Sequence, residues 1–160
     1  MTEGAIYHGI HDGHYILRFV GDVRLTLCTS LDLHIEDAFA HQEFDDILVD
    51  LTESDCLDST TLGLIAKLAN KAQIQDLQMP VLISTNGDIN HTLKCMGFDQ
   101  VFLMSECLEC SHLAADKLDV VQEAAEDMQQ RIINAHRVLM SMNRNNFEAF
   151  SSLVQTLEKS

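Results

Sequence analysis

The sequence predicts a mixed α/β fold with an N-terminal β-hairpin, then alternating helices and parallel strands, and a C-terminal helical hairpin. Residues 5–21 combine two apolar runs with an Asp12-Gly13 turn signal. The chain then alternates between helical and strand periodicity as far as residue 110, which favours a mixed sheet with helices packed on it. Residues 111–160 contain neither Gly nor Pro, and their apolar residues recur three and four positions apart.

The first elements are the hairpin and a helix. Residues 6–10 and 15–20 are its two predicted strands, and Gly21-Asp22 ends the second strand. Ser30 is suited to cap the helix that follows. The apolar face of that helix comprises Leu31, Ile35, Ala38 and Phe39.

The centre of the chain passes from a strand to a helix. Residues 47–51, Ile-Leu-Val-Asp-Leu, are typical of a buried strand. Asp58-Ser59 then opens a helix, which places Ser59 at or beside its N-cap. The apolar residues at helical spacing are Leu62, Ile65, Ala66, Ala69 and Ala72.

Two more strands complete the predicted sheet. Pro80 begins a strand over residues 80–84, at a position where its missing N–H is tolerated. A turn at residues 86–88 leads into a short helix that Gly97 is suited to end. Residues 101–104 form the last strand.

The pattern changes after residue 110, so we expect a domain over residues 1–110 and an α-helical extension over residues 111–160. The extension should form a long helix, a tight loop at residues 143–146 and a shorter helix. The apolar residues that recur three and four positions apart form a seam along one face of the long helix: Leu118, Val121, Ala125, Met128, Ile132, Ala135, Leu139 and Met142. We favour a hairpin that packs on its own domain over a coiled-coil homodimer, because a 3.5-residue period cannot be told from 3.6 at this length. A third possibility is that the two helices bind a partner protein.

The charge balance disfavours several classes of partner. Ten basic and 25 acidic residues give a formal net charge of −15. Nucleic acid and anionic membranes attract clustered Lys and Arg, so both are poor partners. No apolar run approaches the roughly 18 residues of a membrane span, and the N-terminus does not resemble a signal peptide. We therefore expect a cytoplasmic protein, whose five cysteines are reduced because an odd number argues against a disulfide framework.

Ser59 is the leading candidate functional residue. A hydroxyl at the junction between the end of a strand and the start of a helix is accessible to another protein. The nearby N–H groups and the helix dipole would accommodate a phosphate. An isolated Asp-Ser pair is more often just an N-cap, but here the surrounding segments favour a switch.

Four segments, in order along the chain, resemble the motifs of one family. They are Gly21-Asp22-Val23, Ile47-Leu48-Val49-Asp50-Leu51, Leu57-Asp58-Ser59-Thr60-Thr61-Leu62-Gly63 and Met96-Gly97-Phe98-Asp99-Gln100-Val101-Phe102. They are similar to the conserved segments of the STAS domain, the fold of bacterial anti-sigma factor antagonists. The resemblance covers residues 5–110 and implies a STAS-like mixed sheet with packed helices.

The resemblance implies a function as well as a fold. Ser59 falls on the serine that a partner kinase phosphorylates and a PP2C-type phosphatase restores. The unphosphorylated form of such a protein binds an anti-sigma factor, and phosphorylation abolishes this binding. The chain is also similar to antagonists that carry a C-terminal helical extension and are regulated by a response-regulator phosphatase. The partner-binding residues implied are Gly21, Asp22, Asp58, Ser59, Thr60 and Thr61.

Three residues close to Ser59 in the chain bear on which hydroxyl accepts the phosphate. The family usually has Gly where this chain has Thr61, and a β-branched residue restricts the local conformation. Thr60 is a second, less favoured acceptor hydroxyl. Asp58 matches the family, where this residue helps to shape the acceptor site.

Other constellations carry weaker signals. Cys107, Cys110 and His112 have the spacing of half a zinc site, but no second Cys pair exists. His8, His11 and His14 flank the hairpin turn without a carboxylate-rich metal motif. Cys56 lies among acidic residues that disfavour a reactive thiolate. We therefore expect no metal and no cofactor.

Three alternative functions remain open at this point. The same serine switch could gate a diguanylate cyclase or another signalling enzyme. A lipid- or nucleotide-binding STAS module is disfavoured by the acidic composition. An enzyme is not expected, because the common catalytic motifs are absent and nothing in the sequence places a base beside Ser59.

Overall fold

A computed structural model describes residues 3–106 and 114–160. The strands are β1 Ala5–His11, β2 His14–Val23, β3 Asp46–Leu57, β4 Val81–Ile83, β5 Leu103–Ser105 and β6 Asp116–Lys117. The α-helices are α1 Cys28–His41, α2 Ser59–Ile74, α3 Gly87–Cys95, α4 Ala125–Met142 and α5 Arg144–Glu158.

The strands form one mixed sheet in the order β5-β4-β3-β2-β1-β6. β1 and β2 pair antiparallel, whereas β2, β3, β4 and β5 pair parallel in succession. Helices α1, α2 and α3 each connect two parallel strands, as parallel pairing requires. The predicted fold class, an N-terminal hairpin followed by parallel strands with packed helices, is confirmed.

The hairpin turn forms for the reason that its sequence suggests. Asp12 and Gly13 both have positive φ angles, 50° and 82°. Such angles are typical of the tight turns that match the twist of antiparallel strands, and Asp-Gly tolerates them. The register therefore closes with His11 opposite His14.

The core lies between the sheet and helices α1 and α2. Alternate residues of a strand point to one face, and on β2 and β3 these include Tyr15, Phe19, Val49 and Leu51. They pack with apolar residues of α1 and α2 in a single buried cluster. Ala135 and Leu139 of α4 belong to the same cluster, so the C-terminal hairpin packs on its own domain in this structure.

Helix α1 begins earlier than the sequence suggests. The expected cap, Ser30, lies in the first turn, and its hydroxyl donates to the Asp119 carbonyl instead. A short 3₁₀ turn at Leu25–Leu27 leads directly into the helix at Cys28. The prediction of a Ser30 cap is therefore wrong, because a long-range hydrogen bond uses its hydroxyl.

The long C-terminal helix begins later than predicted. The Asp116–Lys117 strand pairs antiparallel with β1, and the Leu118 N–H donates to the Ile6 carbonyl at 2.8 Å. The chain around Leu118, where the predicted helix starts, therefore has an extended rather than a helical backbone, and α4 begins at Ala125. Asn143 separates α4 from α5 and caps α5 by accepting from the Asn146 N–H at 2.8 Å.

Candidate functional site

The start of α2 is organised by Asp58. This residue has extended backbone angles, and its Oδ1 accepts from the Thr61 N–H at 2.7 Å, so it is the N-cap of the helix. Ser59 is the first helical residue. Because Asp58 does the capping, the Ser59 hydroxyl is left for other contacts.

The end of β2 lies beside the end of β3. The parallel register sets Val23 opposite Leu57 and Asp22 opposite Cys56, so Asp22 and Ser59 lie at the same edge of the sheet. Gly21 has a φ of 71°, and the register shifts between Gly21 and Asp22. Such a conformation favours glycine, so Gly21 acts here through the backbone.

The Asp22 carboxylate already has a cationic partner. It accepts from Arg24 Nε at 2.6 Å and is largely buried, while the Arg24 side chain is exposed. The negative charge of Asp22 is thus partly neutralised locally. The exposed Arg24 guanidinium is the group that a newly added negative charge near this edge would also attract.

The three consecutive hydroxyls at the start of α2 differ in exposure. Thr60 and Thr61 are buried, whereas Ser59 is partly exposed. Thr61 lies inside the regular helix with its Oγ1 3.5 Å from the Cys28 sulfur, so the usual family Gly is replaced without disturbing the helix. Burial raises the pKa of the Cys28 thiol to about 12, which keeps it protonated. Exposure favours Ser59 over Thr60 as the accessible acceptor.

The Ser59 hydroxyl is held by a histidine from the C-terminal hairpin. Ser59 Oγ lies 2.8 Å from His136 Nε2, and His136 Nδ1 lies 2.7 Å from the Ile132 carbonyl. Only a protonated Nδ1 can bond a carbonyl, so in neutral His136 the Nε2 atom accepts the hydrogen of the Ser59 hydroxyl. The His136 side chain is almost completely buried, and Phe150 of α5 packs edge-on against its ring at 5.2 Å.

His136 is not among the predicted site residues. Nothing in the sequence places a base beside Ser59, but in the structure α4 crosses α2 and brings this imidazole to it. In a hydrolytic triad the histidine is held by a carboxylate, whereas here the partner of His136 Nδ1 is the Ile132 carbonyl. The docked hairpin also encloses the His136 ring. The one available signal was the position of His136 next to the predicted seam residue Ala135.

Helix α4 docks closely because Gly63 has no side chain. A Cβ atom added to Gly63 would lie 2.3 Å from the Ala135 carbonyl oxygen, a distance that real Cβ atoms do not tolerate. The two helix backbones are therefore in direct contact. This contact lies one turn beyond Ser59 and holds His136 at the hydroxyl.

An ion-pair network ties α4 to α1. Arg131 donates to Asp32 Oδ2 and to Glu123 Oε1, each at 2.7 Å. Thr29 also donates to Glu123 at 2.7 Å, and Lys67 of α2 donates to Asp32 Oδ1 at 2.6 Å. The hydrogen bond from Arg131, opposed by partial desolvation, lowers the pKa of Glu123. Asp32 is thus shared by α1, α2 and α4.

An apolar groove of about 170 Å³ lies at the same edge of the sheet. Its walls come from the end of β3, the start of α2 and helix α3. The lining residues are Asp55, Cys56, Leu57, Leu62, Asp88, Ile89, Thr92 and Leu93. Leu57 and Leu62 flank Ser59 in the chain, although Ser59 itself does not line the groove.

The predicted histidine group does not converge on one point. His14 bonds Asp46 at 2.5 Å, His11 pairs with Asp12 at 3.3 Å, and His8 packs against His34 with ring centroids 4.1 Å apart. Among residues 3–106 and 114–160, no three potential ligands are grouped to hold a metal ion. Cys107, Cys110 and His112 lie outside the described residues.

Residues 8–111 match the family model of the STAS domain. The chain belongs to the STAS domain family. The match spans the second half of β1, strands β2 to β5, the three helices that connect the parallel strands, and the Ser59 segment. In the described part of the chain, no helix has the length and apolar character needed to cross a membrane.

Several solved structures share this fold. An anti-sigma factor antagonist from Mycobacterium paratuberculosis is 16% identical, with a TM-score of 0.55 over 70% of this chain and 93% of that one. SpoIIAA of Bacillus, unphosphorylated, is 12% identical, with a TM-score of 0.56 over 65% of this chain and 90% of that one. Its phosphorylated form is also 12% identical, with a TM-score of 0.54 over 63% and 91%. No curated protein matches the chain in sequence.

Proposed function

We propose that this STAS protein is an anti-sigma factor antagonist whose binding to its partner is abolished by phosphorylation of Ser59. The observation that carries the proposal is the position of Ser59. It is the one partly exposed member of three hydroxyls at the start of α2, and Leu57 and Leu62 on either side of it in the chain line an apolar groove. The solved relatives described above support the proposal, since they include an antagonist and both phosphorylation states of SpoIIAA.

The groove offers a physical reason for partner binding. Leu57, Leu62, Ile89 and Leu93 provide an apolar surface that an anti-sigma factor segment would cover. Asp55 and Asp88 at the same groove would favour a basic or mixed-charge rim on the partner. Binding would exclude water from the edge of the sheet that carries Ser59.

Phosphorylation would act on this interface without refolding the domain. A phosphoserine adds about −1.5 to −2 charge at pH 7. Next to Asp58, and on the surface that also carries Asp55 and Asp88 of the groove, this charge would be costly to bury under a partner. A loss of about 4 kcal/mol of binding free energy corresponds to roughly a thousandfold in affinity.

The proposed switch needs two further proteins. A serine kinase would phosphorylate Ser59, and a PP2C-type phosphatase would restore the hydroxyl. Such a circuit would work in the cytoplasm. The regulated sigma factor would be released whenever the unphosphorylated chain captures the anti-sigma factor.

Affinity capture with three bait variants tests the proposal. Ser59→Ala should retain the anti-sigma factor from a lysate of the source cells, and Ser59→Asp should lose most of it. Ser152→Asp adds the same charge on an exposed face of α5 and should behave like the wild type. Equal recovery on the Ser59→Ala and Ser59→Asp baits would refute the switch.

A further inference from the structure

The face of α2 that carries Ser59 is already covered by a segment of the same chain, the α4–α5 hairpin. We propose that phosphorylation of Ser59 and docking of this hairpin oppose each other, so that the phosphorylated chain releases the hairpin. The inference rests on the proposed function in one respect, because it takes Ser59 as the phosphorylated residue. Three features of the contact carry it.

The first feature is the hydrogen that the Ser59 hydroxyl donates. In phosphorylation, Ser59 Oγ bonds to the γ-phosphorus of a nucleoside triphosphate, the diphosphate leaves, and the hydroxyl proton is lost. Oγ is then an acceptor only and can no longer donate to His136 Nε2, which lies 2.8 Å away. The bond that closes the present contact can no longer form.

The second feature is the lack of space. A phosphoryl group directed at His136 needs room for phosphorus and three oxygens, but 2.8 Å is already a hydrogen-bond distance. A phosphoryl group turned toward solvent avoids this clash. It then leaves Nε2 of the buried His136 without a donor, which is itself unfavourable. Both orientations therefore destabilise the docked hairpin.

The third feature is the contact between Gly63 and Ala135, which prevents a small adjustment. The helix backbones touch there, so α4 cannot tilt toward α2 to form replacement contacts. Phe150 encloses the other side of the His136 ring. The way to relieve the phosphoserine is to move the hairpin away from α2.

The hairpin can leave as one unit because its two helices are tied to each other. Asn146 Nδ2 donates to the Leu139 carbonyl at 2.9 Å, and Arg137 pairs with Glu158 at 2.8 Å. Its attachment to the domain includes the polar contacts of Arg131 with Asp32 and of Asn143 and Asn146 with the Met96 carbonyl. Release would expose the apolar face that includes Ala135 and Leu139. A coupling between two equilibria is reciprocal, so a docked hairpin should also make phosphorylation of Ser59 energetically less favourable.

Hydrogen–deuterium exchange on the full chain tests the inference without any partner. Phosphoserine placed at position 59 by genetic code expansion should speed amide exchange in α4 by about tenfold or more. Phosphoserine at position 152 is the matched control and should change the exchange of α4 by less than about twofold. Unchanged protection of α4 with phosphoserine at position 59 would overturn the inference.

A glycine pair provides a second test that needs no phosphate. Gly63→Ala places its Cβ against the Ala135 carbonyl and should release the hairpin, with faster exchange in α4. Gly87→Ala is the control, since nothing lies within 4 Å of its added Cβ and both residues are helical. Equal exchange in the two variants would also overturn the inference, because the close contact would not then control docking.

The exchange and capture experiments separate the two proposals. Unchanged α4 protection, together with loss of the anti-sigma factor on the Ser59→Asp bait, refutes hairpin release and leaves the proposed function in place. Faster exchange in α4, together with equal capture on all baits, supports hairpin release and refutes the antagonist switch.

Discussion

Ser59 Oγ and His136 Nε2 lie 2.8 Å apart, although 77 positions separate these residues in the chain. The hydrogen bond joins the first residue of α2 to the middle of α4. It places the C-terminal hairpin in contact with the residue that we propose is phosphorylated. The hairpin and the proposed site of phosphorylation are therefore in direct contact.

A double-mutant cycle should detect this hydrogen bond. We expect Ser59→Ala and His136→Phe to be non-additive, with a coupling free energy of about 1 kcal/mol, the usual net value of an intramolecular hydrogen bond. Urea denaturation of the wild type, both single variants and the double variant gives the value. Additive effects would mean that the contact contributes nothing.

The N-cap of α2 should be measurable on its own. Asp58→Ala removes the acceptor of the Thr61 N–H and should lower the free energy of unfolding by about 1 kcal/mol. Asp55→Ala, an exposed acidic residue nearby, should change it by less than about 0.5 kcal/mol. Chemical denaturation compares the two, and equal effects would argue against Asp58 as the cap.

Packing of the hairpin on the domain predicts a large core effect in α4. Leu139 is fully buried in the common cluster, so Leu139→Ala should cost about 2–5 kcal/mol. Leu153→Ala, on the exposed side of α5, should cost less than about 1 kcal/mol. Thermal and urea unfolding measure both variants. Equal losses would show that α4 does not share the core.

The His34 ring predicts a pH dependence of stability. Burial, and then the neighbouring His8, lower the pKa of His34 to about 4 against the opposing effect of Asp37. The unfolded chain has a His pKa near 6.5, so it binds the proton more readily. The contribution of His34 is therefore constant above pH 6.5 and falls between pH 6.5 and about pH 4.

The expected size of this effect is roughly 2 kcal/mol, after allowance for the partial exposure of the ring. Urea unfolding at several pH values between 7.5 and 4.5 gives the profile. His34→Gln should flatten it relative to the wild type, whereas His91→Gln, an exposed histidine, should not. Parallel profiles for all three proteins would contradict the assignment.

The parts of the fold that can be predicted from the sequence are those determined by residues close together in the chain. The Asp12-Gly13 turn, the apolar run of β3 and the start of α2 each depend on residues close together in the chain. The edge where Asp22 and Ser59 lie follows from the parallel pairing of β2 and β3. These features are sufficient to locate the candidate site.

Long-range contacts account for what the sequence does not reveal. Asp116–Lys117 has no strand propensity and becomes β6 by pairing with the free edge of β1. In the sequence, Leu118 is spaced from the apolar residues of α4 as in a helix. In the structure its N–H donates to the Ile6 carbonyl, and the backbone there is extended. His136 reaches Ser59 because Gly63 admits α4 closely, and no local pattern encodes such a crossing.

A binding titration tests the central claim most directly. The anti-sigma factor recovered by affinity capture is purified and titrated with the full chain carrying either serine or phosphoserine at position 59. We predict a dissociation constant at least about 100-fold higher for the phosphorylated chain, because an added dianion would have to be buried beside the groove. Dissociation constants within about threefold of each other would contradict the proposal that Ser59 is the switch.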